Sequence, residues 1–319
     1  MFDTLCEINL SDIDLNDERY RISPGIGNIS FLADSIKKIG LISPPVIRPV
    51  DNKFIVISGF NRITALLHNN VLKTPVYLAG KETDDFQCLL FAIAALSFKR
   101  PLTHVELIAG VTRLSDYLER EEMAKIAPPV FNMQLTPGFI EDLLHIGSLP
   151  DPAMELIHTG NLSLKAAKKI SFLDKDEIPF FLNIFSKIKA STSIQFEILQ
   201  NILEISAREG IHPQSFFKEM KIINPLDDET LDAVLRTQRF RTMVFEQRYP
   251  VLSQTRRMIL DKIAATKLPG IIRLIPLENF ESRGYSISFM VKNHDEFQKN
   301  VRQLTDVLEN KTLREILDS

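Results

Sequence analysis

Residues 35–67 read SIKKIGLISPPVIRPVDNKFIVISGFNRITALL, and the order of signals in this stretch decides the fold. A helical segment stops at Gly40. Pro44-Pro45 opens an extended run, PPVIRP (44–49). Asp51-Asn52 supplies a turn, and FIVISG (54–59) follows, so the two runs read as a hairpin. At Gly59 the second strand ends and a helix, NRITALLHN (61–69), begins. Upstream, Asn28 or Ser30 can cap a helix in which Leu32, Ile36 and Ile39 share one face. Downstream, TPVYLAG (74–80) predicts another short strand. The strand–Gly59–helix turn carries chemistry. Free amides at a helix N-terminus favour an anion, and Arg62 in the first turn can add charge-assisted bonds to phosphate. An isolated Gly-x-x-Arg reads equally as a plain turn beside a surface ion pair.

From about 83 to 222 the pattern is helical, with segments near 85–97, 103–116, 119–127, 137–146, 151–158, 163–172, 178–188, 191–208 and 213–221. Pro101, Pro128-Pro129, Thr136-Pro137-Gly138, Leu149-Pro150-Asp151-Pro152 and Gly160-Asn161 mark the loops. Short helices on short loops predict a helix-turn-helix-type array. INPLDDET (223–230) reads as a boundary. A basic helical stretch to Lys267 follows, then two β-like runs, GIIRLIP (270–276) and YSISFMV (285–291). A last helix starts near Asp295, with Phe297, Val301, Leu304 and Leu308 at helical spacing. The expected fold is α+β and predominantly helical. Its divisions are an α/β domain at 1–82, a helix-turn-helix-like domain at 83–175, a helical extension at 176–230 and a small α+β domain at 231–319.

Composition narrows the class. Of 319 residues, 45% are hydrophobic and 25% charged, enough apolar content to offset the entropy of ordering. A membrane span needs roughly 20 apolar residues, about twice the run CLLFAIAAL (88–96), so no membrane is expected as a partner. The acidic start reads as neither a secretory signal nor a transit peptide. Cys6 and Cys88 cannot build a disulfide framework or a four-thiolate zinc site. The six histidines form no HExxH. No metal site and no catalytic residue is assigned, and a reducing cytoplasm is the expected location.

The net charge of −3 excludes a globally basic nucleic-acid coat but not a local basic face. Lys165, Lys168 and Lys169 lie within about one helical turn. Residues 232–267 hold Arg236, Arg239, Arg241, Arg248, Arg256, Arg257, Lys262 and Lys267 against Asp232, Glu246 and Asp261, with Phe240, Phe245 and Tyr249 interleaved. Such a stretch can bind a nucleic-acid backbone or be a solvated helix face over core aromatics. The DNA-binding candidates are Lys165, Lys168, Lys169, Arg239, Arg241 and Arg248.

The order helix, Gly-Leu-x-x-Pro, strand, hairpin, strand, Ser-Gly-x-x-Arg, helix resembles the N-terminal domain of the ParB family of partition proteins. The resemblance continues through TPVYLAG and LPDPAMELIHTGNLSLKAAKKISFL (149–173), over half of the chain. It implies a ParB-like α/β domain followed by a degenerate helix-turn-helix, a triphosphate cradle for CTP, DNA as partner, a ParA-like ATPase as a protein partner, and a homodimer through the C-terminal domain. The implied nucleotide-binding residues are Ser58, Gly59, Asn61, Arg62 and Arg100.

The chain departs from the family at several places. ParB proteins typically read Gly-Glu-Arg-Arg where this chain has Gly59-Phe60-Asn61-Arg62. The family's Glu-Asn-x-x-Arg corresponds to Leu96-Ser97-Phe98-Lys99-Arg100, without carboxylate or amide. Magnesium prefers carboxylates with phosphate oxygens, so hydrolysis of CTP is not expected. Arg19 and Arg21 in DERYR stand where the early arginine-bearing box would be, or are plain surface arginines. Sulfiredoxin needs a Cys in its Gly-Gly-Cys-His-Arg motif, absent here, which excludes thiol chemistry. Free-serine kinases resemble Asp-Gly-His-His-Arg, again unmatched. The second helix of the helix-turn-helix opens Thr136-Pro137-Gly138-Phe139-Ile140-Glu141-Asp142, where carboxylates would face phosphates. The leading expectation is a DNA-associated protein of partition or regulation, with nucleotide as a conformational ligand. The alternatives are a protein-interaction module without CTP chemistry or DNA readout, and a small-molecule phosphotransferase reusing the cradle.

Overall fold

The computed structural model describes residues 4–25, 28–80, 82–219, 225–228, 230–266, 268–276, 284–307 and 311–317. It divides into two compact units, 1–199 and 200–319. The boundary read in INPLDDET lies partly outside the described residues, as do Lys267 and Leu308.

The first unit opens with β1 (Thr4–Asn9) and β2 (Ile13–Asp14), then α1 (Ser30–Ile39), β3 (Val46–Val50), β4 (Lys53–Ser58), α2 (Phe60–His68) and β5 (Lys73–Leu78). The sheet order is β1-β5-β3-β4-β2. The hairpin is as expected: Val50 pairs with Lys53 across the turn, and Asp51 takes a φ of 52°. β3 and β5 are parallel, which requires a crossover, and α2 lies within that connection. Ile8, Ile47, Val56, Ile63, Leu66 and Val76 form the core between sheet and helices.

β1 and β2 add two strands to the three read from the sequence. In TLCEIN, Cys6 and Ile8 turn inward while Leu5 and Glu7 face out, the period of a half-buried strand. α1 starts where expected, with the Asn28 side chain accepting from the Ser30 N–H at 2.9 Å. It stops at Gly40, whose φ is 83°. Its buried residue is Ala33, and Ile39 is turned outward.

The helices that follow in this unit are α3 (Asp85–Ser97), α4 (His104–Leu114), α5 (Arg120–Phe131), α6 (Pro137–Gly147), α7 (Asp151–His158), α8 (Leu164–Ser171) and α9 (Ile178–Lys187). α10 (Thr192–Glu209) carries the division between the units. The sequence signals place these ends within a few residues, except at Pro128-Pro129, which α5 runs through. Proline forfeits a helical hydrogen bond, but both sit in the last turn, where burial of Val130 and Phe131 holds the helix together. A Cβ on Gly110 of α4 would lie 3.0 Å from Phe131, so Phe131 packs directly onto that glycine. Ser97 Oγ donates to the Val130 carbonyl at 2.8 Å.

The second unit contains α11 (Phe216–Glu219), α12 (Ala233–Arg248), α13 (Pro250–Ala265), the antiparallel pair β6 (Arg273–Pro276) and β7 (Tyr285–Ser288), α14 (His294–Val307) and α15 (Lys311–Leu317). Its small C-terminal core is Leu274, Leu313 and Ile316. No described helix is long and apolar enough to cross a membrane.

Candidate functional site

β4 ends at Ser58, and Gly59 N-caps α2 with a φ of 107°. That value suits glycine, which lacks the Cβ that opposes positive φ. No side chain caps this helix start, whereas Asp84, Thr103, Thr136 and Ser163 cap α3, α4, α6 and α8. The first-turn amides of α2 are therefore free of side-chain acceptors, the arrangement that suits an anion.

The Arg62 guanidinium lies back over the turn. A Cβ added to Gly59 would meet it at 3.0–3.1 Å. Its Nη1 donates to Ser43 Oγ at 2.9 Å and to the Pro44 carbonyl at 3.1 Å, and also to the Ser43 carbonyl. Burial lowers its pKa from the usual arginine value. Among the described residues no carboxylate pairs with it, so its charge is held by neutral oxygens. Ser58, Gly59, Asn61 and Arg62 thus stand together at one turn.

Arg100 is engaged by a carboxylate. It makes a bidentate pair with Glu106, Nη1 to Oε2 at 2.8 Å and Nη2 to Oε1 at 2.6 Å. Glu106 is 1% exposed. It also accepts from Ser23 Oγ at 2.5 Å and from the Thr103 N–H at 2.8 Å. Burial pushes its carboxyl up, but the bonds from Arg100, Ser23 and Thr103 outweigh burial and hold it down at about 2. Thr103-His104-Val105-Glu106 is a capping box, a signal present in the sequence that the motif reading passed over.

Ser23 belongs to a segment, residues 17–25, that runs past the cradle. Arg21 pairs with Glu18, and its guanidinium carbon lies 5.4 Å from the centre of the Phe60 ring. Arg113 of α4 donates to the Arg21 carbonyl. Tyr20 OH donates to Asp85 at 2.5 Å and accepts from Arg48 at 2.8 Å, while Arg48 also pairs with Asp85. Burial pushes the Tyr20 phenol up to about 12. Arg21 therefore stands beside the first residue of α2, whereas Arg19 pairs with Asp17 at 2.7 Å.

Where the family motif has its carboxylate and amide, Leu96 is half-buried and Ser97 is buried with its hydroxyl on Val130. Among the described residues no group of three His, Cys, Asp or Glu side chains could hold a metal ion.

The basic candidates fall in two places. On α8, Lys165, Lys168 and Lys169 lie opposite buried Ala166, Ala167 and Ile170. Lys165 Nζ sits 4.3 Å from the centre of the Phe196 ring. Lys168 pairs with Asp142 of α6 at 2.6 Å, and Lys169 is exposed. On α12, Arg248 pairs with Glu204 and lies 5.0 Å from the Tyr249 ring centre. Arg239 approaches Asp228 at 3.6 Å, and Arg241 is also engaged. At about 100° per residue, Arg241 and Arg248 share one side of the helix and Arg239 lies across from them.

Comparison with known proteins names the frame. The family model for the ParB N-terminal domain matches residues 2–93. A probable chromosome-partitioning protein ParB of Chlamydia trachomatis is 29% identical over 188 residues, covering 55% of this chain and 63% of its own length. The chromosome-partitioning protein Spo0J of Thermus thermophilus is 23% identical over 190 residues, covering 59% and 67%. The chain thus spans less than two thirds of the Chlamydia relative. Two solved structures are also similar. C-terminally truncated ParB of Caulobacter crescentus complexed with CTP-gamma-S is 18% identical with a TM-score of 0.28, covering 57% of this chain and 98% of its own. A Pnob8-like ParB-N domain is 17% identical with a TM-score of 0.35, covering 82% and 97%. The match to the ParB N-terminal domain includes the whole stretch from Ser43 to Arg62. Over residues 2–93 this chain is similar to the ParB N-terminal domain, and about half of it is similar to chromosome-partitioning proteins.

Proposed function

We propose that this chain is a ParB-like, DNA-associated partition protein in which nucleotide acts as a conformational ligand. The observation that supports it most is the uncapped start of α2 at Gly59 with the half-buried, acid-free guanidinium of Arg62 above it, inside the matched ParB domain. CTP is the nucleotide that the family resemblance implies. In this reading the amides of α2 and Arg62 hold phosphate, and Arg21 stands close enough to contribute. Arg100 fixes Glu106. Leu96 stands where the expected carboxylate ligand would be and the buried Ser97 where the amide would be, so the nucleotide binds without appreciable turnover.

Calorimetric titration with CTP is the test. Wild type should bind, and Arg62→Ala should weaken binding about tenfold or more, because a charge-assisted hydrogen bond contributes roughly 1.5–3 kcal/mol. Equal affinity in the two proteins would overturn the cradle. Rapid magnesium-dependent hydrolysis would overturn the role assigned to residues 96–100.

DNA contact is assigned first to α8, where the three lysines share one side, and second to α12, whose arginines do not. Replacing Lys165 and Lys169 by Gln should weaken binding to all duplex sequences and reduce the salt slope by up to about 1.8, roughly 0.9 for each phosphate no longer neutralised. Replacing Arg239, Arg241 and Arg248 together should lower the slope by less than three such steps, since one side of α12 at a time can meet a backbone. The reverse ranking would move the DNA face to the second unit. Self-association fits the C-terminal part, where Ile275, Ile287, Met290 and Phe297 are exposed beside a core of small size.

A further inference from the structure

Helix α6 sits between two cations that its own carboxylates hold. Arg120 of α5 reaches Glu141 at 2.7 Å, and Lys168 of α8 reaches Asp142 at 2.6 Å. All four groups are 30–50% exposed. Exposed pairs of this kind contribute little, about 0–1 kcal/mol. They do not lock the cations, which can leave for another anion. The carboxylates, however, stay where they are. A polyanion docking on α6 and α8 would meet Arg120, Lys165, Lys168 and Lys169 together with Glu141 and Asp142. At a Debye length of about 8 Å, each carboxylate lies within range of a phosphate bound by the cation it now pairs with.

We propose that Glu141 and Asp142 are a built-in counterweight to duplex DNA on the α5–α6–α8 face, and that Arg120 and Lys168 are latent phosphate ligands that they hold in reserve. The proposal rests on the DNA reading above and deepens it. It assigns Arg120 a function that its position outside every basic run conceals. It also gives the acidic opening of this helix a role: with the counterweight, the face has two cations in excess, and without it four. A duplex has to draw Arg120 and Lys168 away from their partners, so binding stays weak and reversible.

The test uses the full chain, a fluorescein-labelled duplex and anisotropy over a salt series. Glu141→Gln with Asp142→Asn keeps the shape of both side chains and removes their charge. This variant should bind at least tenfold tighter at low salt, with a salt slope steeper by up to about 1.8. Adding Arg120→Gln and Lys168→Gln should return slope and affinity to about those of wild type, because the freed cations are then gone. Glu7→Gln with Asp51→Asn changes the net charge by the same two units away from this face and should leave both unchanged. Thermal unfolding of each variant checks that the fold is kept.

If wild type binds duplex and the Glu141/Asp142 variant matches it in affinity and slope, the counterweight is overturned and the DNA reading stands. Equal tightening by the Glu7/Asp51 control would overturn it too, since net charge would then suffice. If neither wild type nor variant binds any duplex at low salt, the DNA reading itself fails and the proposal with it.

Discussion

Replacing Glu106 by Ala should destabilise the first unit by about 3 kcal/mol, the range seen when one partner of a buried ion pair is removed. Glu106 is nearly inaccessible and satisfies Arg100, Ser23 and the Thr103 amide at once. Ala removes the acceptor for all three and the capping box of α4. Arg100 is 45% exposed and can turn to water, which keeps the cost from rising further. The same carboxylate gives stability a pH dependence. Its folded value, about 2, lies below the ordinary 4.5. The contribution is therefore complete above about pH 4.5 and is lost as pH falls toward 2. At about 1.36 kcal/mol per unit the shift corresponds to an upper figure near 3 kcal/mol, reduced by screening at the exposed arginine. Urea denaturation followed by hydrogen exchange in α3 and α4 should show the loss at pH 7, and a flatter acid limb in the variant. A change under about 1 kcal/mol would mean that Glu106 is not the anchor of this network.

The parts of the fold legible in the sequence are those whose cause is local. Asp51-Asn52 between two β-rich runs, and Gly59 between a strand and a helix, each specify their geometry within a few residues. The helix starts near 137 and 163 follow from the loop signals Thr136-Pro137-Gly138 and Gly160-Asn161. β1 was hidden because TLCEIN alternates over only six residues in an acidic context, and its partner β5 lies about 70 residues away. The continuation of α5 through Pro128-Pro129 depends on Phe131 meeting Gly110, a tertiary contact that overrides a local breaker.

The candidate site divides the same way. Ser58, Gly59, Asn61 and Arg62 come from one turn, so sequence spacing brings them together. Arg100 looked available because its motif ends there, yet the capping box six residues on supplies its carboxylate. Arg21 beside Phe60, and Arg113 on the Arg21 carbonyl, join segments separated by up to 92 residues; no pattern in the chain declares such contacts. The α12 arginines show the opposite case, since their angular spread follows from residue numbers alone.

Gly59→Ala should remove most nucleotide affinity, roughly tenfold to a hundredfold, and cost about 1–2 kcal/mol of stability. A left-handed backbone carries a penalty of that size for a residue with a Cβ. The new Cβ would also press on the Arg62 guanidinium at 3.0–3.1 Å, forcing it off the Ser43 and Pro44 oxygens that now hold it. The two effects separate in a double-mutant cycle. In an Arg62→Ala background the guanidinium is gone, so Gly59→Ala should cost only the backbone penalty and add little further loss of CTP binding. Residues in contact couple in this way, whereas independent sites add. The stability arm needs no ligand, so the close approach of Gly59 and Arg62 can be tested whatever the nucleotide proves to be. Strict additivity of the two substitutions, in both stability and CTP affinity, would mean that the arginine does not lie over the glycine and that the turn binds its anion through backbone amides alone.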